Sequence, residues 1–358
     1  MSAFGRLLRW SPLHKALPFL VAALALAPFI LTTRSANVRM TIYASRATLD
    51  IPTNSGQVLL APLSVSELTL SGPATAKSMD GTSFSLARVP GGQRAPKTSI
   101  QLDEPTSRLT LTSPADSPLR IVAVDLRRVS NLDVRHGGGA DAPIAFYLRT
   151  SEPVALTARA LELSVRCVGC RPDAESKAAD WAGSAQPDVA GDPRGAFATL
   201  SAGAPGVGFA IASTSPSVIS QPTEVTGSIA FETMSADGKR RVSALTQKSE
   251  IVIEDTGRKI DVEPSEFVVV GQPHKLKLLS LSRAEGVGLK LEFHGEVPSL
   301  STGRSPQSLK NQLPSWLSYW YQKKDEAWLL WLSVSLLLGG MLLKIAIEIG
   351  WIKGKDKS

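Results

Sequence analysis

The most constraining feature of the sequence is an uncharged apolar stretch near its C-terminus. Residues 327–343 contain no charged side chain, and Lys344 and Glu348 are the only charges before the lysine-rich tail. A helix of about 20 apolar residues crosses a hydrocarbon layer of roughly 30 Å and satisfies its own backbone hydrogen bonds there. We therefore predict a transmembrane helix over 327–349 and a basic cytoplasmic tail over 350–358. A buried helix of a soluble domain is the alternative.

A second apolar stretch lies near the N-terminus. Residues 1–15 are short and basic, and residues 16–33 are apolar. Such a pattern is typical of a signal peptide or of an uncleaved anchor. Cleavage after Ala36 would place Arg34 where the peptidase requires a small residue. We therefore favour a cytoplasmic stub over 1–15 and a first transmembrane helix, an uncleaved signal anchor, over 16–33.

The charge distribution argues against nucleic acid as a partner. The formal net charge is +7, but residues 34–322 carry 30 basic and 28 acidic side chains. The excess positive charge lies mainly at the two ends, beside the apolar stretches, whereas a nucleic-acid-binding protein concentrates it on the folded domain. Basic flanks mark the cytoplasmic side of a membrane protein. We expect both termini in the cytoplasm and the bulk of the chain in the periplasm, at a bacterial inner membrane.

The region between the two apolar stretches has the period-2 alternation of β-strands. Short alternating runs recur over 39–170 and again over 207–297, separated by Gly, Pro, Ser and Asp. This pattern is typical of an all-β protein built from sandwich-like units. The fold prediction is therefore an all-β extracytoplasmic region, in two domains, flanked by N- and C-terminal transmembrane helices.

The segment between the two β-rich regions has a different composition. Residues 171–206 are rich in Ala, Gly, Asp, Pro and Ser and contain few large apolar side chains. A segment of this kind buries little apolar surface to offset the cost of ordering it. We predict a linker or long loop, partly disordered, that forms the domain boundary.

The approach to the C-terminal apolar stretch is rich in aromatic residues. Pro314 is suited to the first turn of a helix and Ser315 to its N-cap, so we predict an amphipathic interfacial helix over 314–326. Aromatic side chains here and around the span match the belts that anchor membrane helices at the interface. Packing beneath the β-domain, or docking on a partner's membrane helices, are the alternatives. The residues concerned are Trp316, Tyr319, Trp320, Trp328, Trp331 and Trp351, and Gly339 and Gly340 are candidates for a close helix contact.

Few motifs in the chain carry chemistry. Cys167-Val-Gly-Cys170 predicts a structural disulfide; a redox pair, free thiols or a metal site are the alternatives. His136 and the three glycines that follow it match an esterase loop, but the nucleophile motif that must accompany it is missing from the sequence. Lys239, Arg240 and Arg241 follow an Asp-Gly turn and are interpreted as the solvated tip of a hairpin. No pattern identifies a catalytic residue, a cofactor site or a metal site.

These features favour a non-enzymatic, membrane-anchored accessory or scaffold subunit of a larger cell-envelope complex, with a periplasmic β-rich binding domain. Its expected partners are an integral-membrane protein, the lipid bilayer and an envelope polymer or lipid. Two alternatives come from other classes of protein. One is an extracytoplasmic enzyme acting on envelope glycans through paired carboxylates, and the other is a stand-alone ligand-binding or adhesion module.

Overall fold

A computed structural model of the chain shows two compact units, one formed by Ser35–Gln312 and the other by the two chain ends, Met1–Arg34 and Leu313–Ser358. The structure describes the following residues: 34–52, 58–59, 63–125, 129–137, 142–150, 154–173, 175, 177–188, 196–202, 206–212, 217–219, 221–273, 275–284, 288–315, 318–319, 335 and 339–340.

The unit Ser35–Gln312 is all-β, which confirms the β-rich, sandwich-like fold expected from the alternation. Its largest sheet, sheet A, is fully antiparallel. The strands of sheet A, in spatial order, are β29 (Lys310–Asn311), β28 (Ser299–Gly303), β25 (Phe267–Gly271), β20 (Ile229–Ala230), β2 (Arg46–Asp50), β12 (Val129–His136), β13 (Ile144–Thr150), β18 (Gly206–Ala212), β5 (Glu67–Ser71), β10 (Arg108–Thr112), β15 (Leu163–Pro172), β16 (Ala179–Pro187), β7 (Thr82–Arg88) and β8 (Ala95–Lys97).

Two further sheets cover parts of sheet A. The strands of sheet B are β3 (Val58–Leu59) and β4 (Leu63–Val65), both on β11 (Leu119–Asp125), then β14 (Val154–Ala160), β17 (Ala196–Ala202), β6 (Ala74–Ser78) and β9 (Ser99–Leu102). The strands of sheet C are β19 (Thr223–Val225), β26 (Leu276–Arg283), β27 (Leu289–Val297), β1 (Ala36–Ala44), β23 (Ser249–Ile253) and β24 (Arg258–Val262). A separate hairpin pairs β21 (Glu232–Met234) with β22 (Arg241–Ser243).

The core follows from the alternation along each strand. In β1, Val38, Met40 and Ile42 are completely buried, whereas the intervening side chains are partly or fully exposed. Burying a side chain of this size contributes about 1.5–3 kcal/mol. The sheets pack through such inward-facing residues: the Phe231 ring, next to β20, meets the Phe293 ring of β27 edge to face at 6.1 Å. Sheets A and C thus form one sandwich.

The segment 171–206, predicted as a linker, contains strands instead. Ala179–Pro187 forms β16 and Ala196–Ala202 forms β17, each paired on both sides. The small residues that suggested a linker permit close strand pairing: a Cβ on Gly183 would lie 1.9 Å from the Ser85 carbonyl oxygen. Low apolar content therefore reflects tight packing between neighbouring strands here, and the linker prediction is wrong for these strands.

Strands from the two predicted β-rich regions pair with each other in the same sheets. β18 lies between β13 and β5 in sheet A, so its residues, 206–212, pair with strands from the first region. Conversely, β1 belongs to sheet C, beside strands from the second region. Sequence order alone predicted consecutive domains, but long-range strand pairing determines the sheets.

The predicted membrane segments are not covered by this description. No helix among the described residues is long and apolar enough to cross a membrane. Residues 16–33 and nearly all of 327–349 lie outside the described residues. The two transmembrane helices therefore stay predictions.

The stacked pair Phe146 and Phe209 provides a test of the pairing between β13 and β18. Their rings lie 5.1 Å apart across the two strands, on the buried face of sheet A. We expect Phe209→Ala to lower the free energy of unfolding by about 3–5 kcal/mol, because it leaves a large cavity. In a double-mutant cycle with Phe146→Ala, followed by chemical denaturation, the coupling energy should be about 0.5–1.5 kcal/mol. Strictly additive effects would contradict the stacking of these two rings.

Candidate functional site

The two ends of the chain meet at a small cluster, the terminal junction, formed by Arg34, Pro314, Ser315 and Tyr319. The backbone N–H of Arg34 donates to the carbonyl oxygen of Pro314 at 3.3 Å. The Arg34 guanidinium lies 3.9 Å from the centroid of the Tyr319 ring, and Tyr319 is buried. A cation over an aromatic face stabilises a structure by about 0.5–2 kcal/mol, and the contribution is larger when water is excluded from the contact. The residue that follows the first apolar stretch is thus bonded to the segment that leads to the second.

A helical turn begins at the terminal junction, although most of the predicted helix over 314–326 lies outside the described residues and stays a prediction. The Ser315 hydroxyl accepts a hydrogen bond from the backbone N–H of Ser318 at 3.2 Å, and its carbonyl accepts from that of Tyr319 at 2.9 Å. The first bond is the N-cap interaction, in which a side chain satisfies an N–H group that has no partner within the helix. Ser315 therefore caps the turn that contains Ser318 and Tyr319.

The other predicted membrane-contact residues are covered only in part. Gly339 and Gly340 are helical and exposed, and a Cβ built on either would meet nothing within 4 Å. Five predicted interface residues lie outside the described residues: Trp316, Trp320, Trp328, Trp331 and Trp351. Tyr319 is thus the one predicted aromatic contact whose surroundings are described.

Cys167 and Cys170 are joined by a disulfide at a corner of the fold. The paired register of β15 shifts between these two residues, and Gly169 has the positive φ of 65° that such a bend requires. Up to Cys170 the strand pairs in sheet A, whereas Arg171 and Pro172 pair with β9 in sheet B. Both cysteines are completely buried. This setting is that of a structural link, since reactive cysteines are partly exposed.

The outer face of sheet A carries a charged cluster that the sequence did not reveal. Asp133 of β12 accepts hydrogen bonds from Arg46 at 2.9 and 2.8 Å and from Arg135 at 3.1 and 2.6 Å. The guanidinium of Arg135 also lies 4.6 Å from the centroid of the exposed Tyr147 ring. We call these four residues the Asp133 cluster. Asp133 thereby holds two arginines in fixed positions beside an exposed aromatic ring.

The register of the strands brings the residues of the cluster together, and it also explains why the sequence alone did not reveal the cluster. Arg46 lies opposite Arg135 in the pairing of β2 with β12, and Tyr147 lies opposite Asp133 in that of β12 with β13. Side chains on one face of neighbouring strands interact at such positions. The i, i+2 spacing of Asp133 and Arg135 places both side chains on one face of β12. This spacing is the only local indication of the cluster in the sequence. The partners Arg46 and Tyr147 are brought in by long-range pairing.

The electrostatics of the Asp133 cluster favour an ionised carboxylate. Burial by itself would raise the pKa of Asp133, but hydrogen bonds from Arg46 and Arg135, together with their positive charge, lower it below its ordinary value of 3.8. A second carboxyl, Asp50, behaves similarly. Burial opposes ionisation there, but hydrogen bonds from Asn131 and Ser228 lower the pKa of Asp50.

Two other features of the sequence have structural roles. His136, the first residue of the esterase-like string, is the last residue of β12 and is buried. Burial, and secondly the positive charge of Arg283, lower the pKa of His136. The described residues contain no group of three or more His, Cys, Asp or Glu side chains that could hold a metal ion.

Comparison of the chain with protein-family models, with curated proteins and with solved structures finds no match.

The Asp133 cluster predicts a pH-dependent stability. Its folded-state pKa is lowered, so ionised Asp133 stabilises the fold at neutral pH, and this contribution is lost as the pH falls below about 5 and through the lowered pKa. We expect Asp133→Asn to reduce the free energy of unfolding by about 1–2 kcal/mol at pH 7, a modest value because Arg135 is solvent-screened. The deficit should shrink towards pH 3 in urea titrations.

The matched control is Asp80→Asn, which changes an exposed aspartate in the turn between β6 and β7. Its effect should stay within about 0.5 kcal/mol at every pH. A deficit of Asp133→Asn that is the same at pH 7 and pH 3 would contradict the assigned role of the carboxylate.

Proposed function

We propose that this protein is a non-enzymatic, membrane-anchored accessory or scaffold subunit of a cell-envelope complex, whose periplasmic β-region binds a partner or an envelope polymer. The observation that carries the proposal is the terminal junction. The N–H of Arg34 bonded to the carbonyl of Pro314 brings together the ends of the two segments that connect to the apolar stretches 16–33 and 327–349.

The terminal junction suits a protein with two membrane helices side by side. Two helices that cross a membrane from the same side need their outer ends close together, and Arg34 and Pro314 are hydrogen-bonded neighbours. The capped turn at Ser315 gives the C-terminal segment a defined start. A cation–π contact between Arg34 and Tyr319 adds a link between the two segments. The proposed pair of helices would present the exposed Gly339 and Gly340 to a neighbouring membrane protein, since small residues permit close approach of helices.

The β-region supports binding more than catalysis. Asp133 and Asp50 are both stabilised in the ionised form by hydrogen-bond donors, whereas the general acid of a glycosidase needs a raised pKa. Tyr147 and Arg135 instead present a stacked, partly exposed pair on the flat outer face of sheet A. Aromatic and arginine side chains of this kind are enriched in binding surfaces.

Purification of the full chain in mild detergent tests the proposal. We expect an integral-membrane protein to co-purify in stoichiometric amount, and Tyr147→Ala combined with Arg135→Ala to release at least one β-region partner while leaving the protein folded. A monodisperse protein without any partner would contradict the accessory-subunit role.

A reporter fusion tests the proposed membrane orientation independently of the purification. A cytoplasm-specific reporter fused after Ser358 should be active, because both termini are proposed to lie inside. Activity of a periplasm-specific reporter at that position would reject the proposed orientation, whatever the purification shows.

A further inference from the structure

Three consecutive cations follow the Asp237-Gly238 turn, and the structure gives them a more specific setting than a solvated hairpin tip. The hairpin itself is present: β21 pairs with β22, and Gly238 has a φ of 69° at the turn. Lys239, Arg240 and Arg241 lie on the side of the hairpin that faces another turn of the same unit. Between the two elements is an open cleft of about 910 Å³.

The cleft has a basic rim and a partly apolar wall. Lys239, Arg240 and Arg241 contribute three cations from the hairpin, and Arg304 contributes a fourth from the turn that follows β28. The remaining lining residues are Val242, Ser243, Ser265, Phe267, Ser305, Pro306 and Gln307. No acidic side chain is among these lining residues.

The elements on both sides of the cleft are fixed by hydrogen bonds and close packing. The Ser243 hydroxyl donates to the Glu266 carbonyl at 2.6 Å, which ties the hairpin to the start of β25. Phe267 pairs with Gly303, so Arg304 leaves the sheet at the edge of the cleft.

The turn that carries Arg304 is itself tightly folded. The backbone N–H of Ser308 donates to the Ser305 carbonyl at 3.0 Å, and the two serine hydroxyls are 2.9 Å apart. A Cβ on Gly303 would lie 2.6 Å from the Ser308 carbonyl oxygen, so the turn folds directly over this glycine. The cations of the two sides are therefore held apart by a rigid framework, which lowers the entropic cost of binding between them.

The charges of the cleft are largely uncompensated. Arg241 pairs with Glu232 at 3.1 Å, but Lys239, Arg240 and Arg304 form no ion pair with any described residue. Asp237, two residues before Lys239, already accepts hydrogen bonds from the Ser235 hydroxyl and from the backbone N–H of Lys239, the latter at 3.1 Å. Elsewhere in the same unit, Lys248 pairs with Asp261 and Lys259 with Glu250. Three like charges converging without counter-ions indicate a site for an anion.

We propose that this cleft binds the phosphate group of an anionic ligand, with Lys239, Arg240 and Arg304 as its principal contacts. A phosphate monoester or a diphosphate carries two or more negative charges and several acceptor oxygens, which match two arginine forks and one ammonium. The exposed side chain of Val242 provides apolar surface for the group that bears the phosphate. A lipid headgroup and a free phosphate ester share this chemistry. The inference goes beyond the proposed function and depends on the cleft alone.

Binding measurements on the detergent-solubilised full chain test the proposal. The probes are inorganic pyrophosphate, followed by titration calorimetry, and dioctanoyl phosphatidic acid, a lipid phosphate monoester, followed by native mass spectrometry. We expect saturable binding of pyrophosphate and a loss of affinity of about tenfold or more in the double variant Arg240→Ala with Arg304→Ala, because two charge-assisted contacts are removed. Lipid binding that falls in the same variant assigns the source to a headgroup, and binding of pyrophosphate alone assigns it to a soluble phosphate ester.

The control variant is Lys275→Ala with Lys277→Ala, which removes the same charge from two exposed positions outside the cleft, one just before β26 and one within it. It should leave affinity unchanged, and thermal unfolding should verify that both double variants are folded. The proposal is overturned if neither probe binds, or if the control loses as much affinity as the cleft variant. Binding of polygalacturonate, a carboxylate polymer, in preference to pyrophosphate would overturn the assignment to phosphate.

Discussion

The pairing of the first strand with one of the last is the constraint on which the rest of the structure depends. β1 and β27 are antiparallel over nine residues, from Ala36 opposite Val297 to Ala44 opposite Leu289. Their inward side chains, including Met40 and Phe293, are completely buried. This ladder closes the loop between Ala44 and Leu289, residues 45–288. The entropic cost of closing a loop grows only slowly with its length, so burial of the strand pair can offset it. The chain therefore enters and leaves sheet C on neighbouring strands.

A second constraint is the corner in β15. A strand that serves two sheets must bend sharply, and the register shift at Cys167–Cys170 with the positive φ of Gly169 supplies that bend. The disulfide spans the bend, and the indole N–H of Trp181 donates to the Cys170 carbonyl at 3.2 Å. Sheets A and B are thereby continuous through one strand. This continuity places β16, which belongs to the segment of low apolar content, directly beside β15.

The alternation of apolar residues was sufficient to predict the β-rich fold, because each strand buries every second side chain whatever its neighbours are. It was not sufficient to predict which strands pair, since β1 with β27 and β18 with β5 are joined over long sequence distances. The same limit applies to the binding features. Ser315 was recognisable as a cap from its neighbours in sequence, whereas the Asp133 cluster and the cleft beside Arg240 combine residues from separate strands and turns. Composition did not predict the strands β16 and β17 within 171–206, because small residues suit both linkers and tightly paired strands.

The central claim is that the segments around Arg34 and Pro314 meet at the terminal junction. Cysteine cross-linking in the full chain tests this most directly, with Arg34→Cys and Pro314→Cys placed at the 3.3 Å backbone hydrogen bond. Disulfides form between residues whose Cα atoms are roughly 4.4–6.8 Å apart, so mild oxidation should cross-link the double variant within one chain, and neither single variant should do so. Absence of the intramolecular cross-link in the folded double variant would contradict the account.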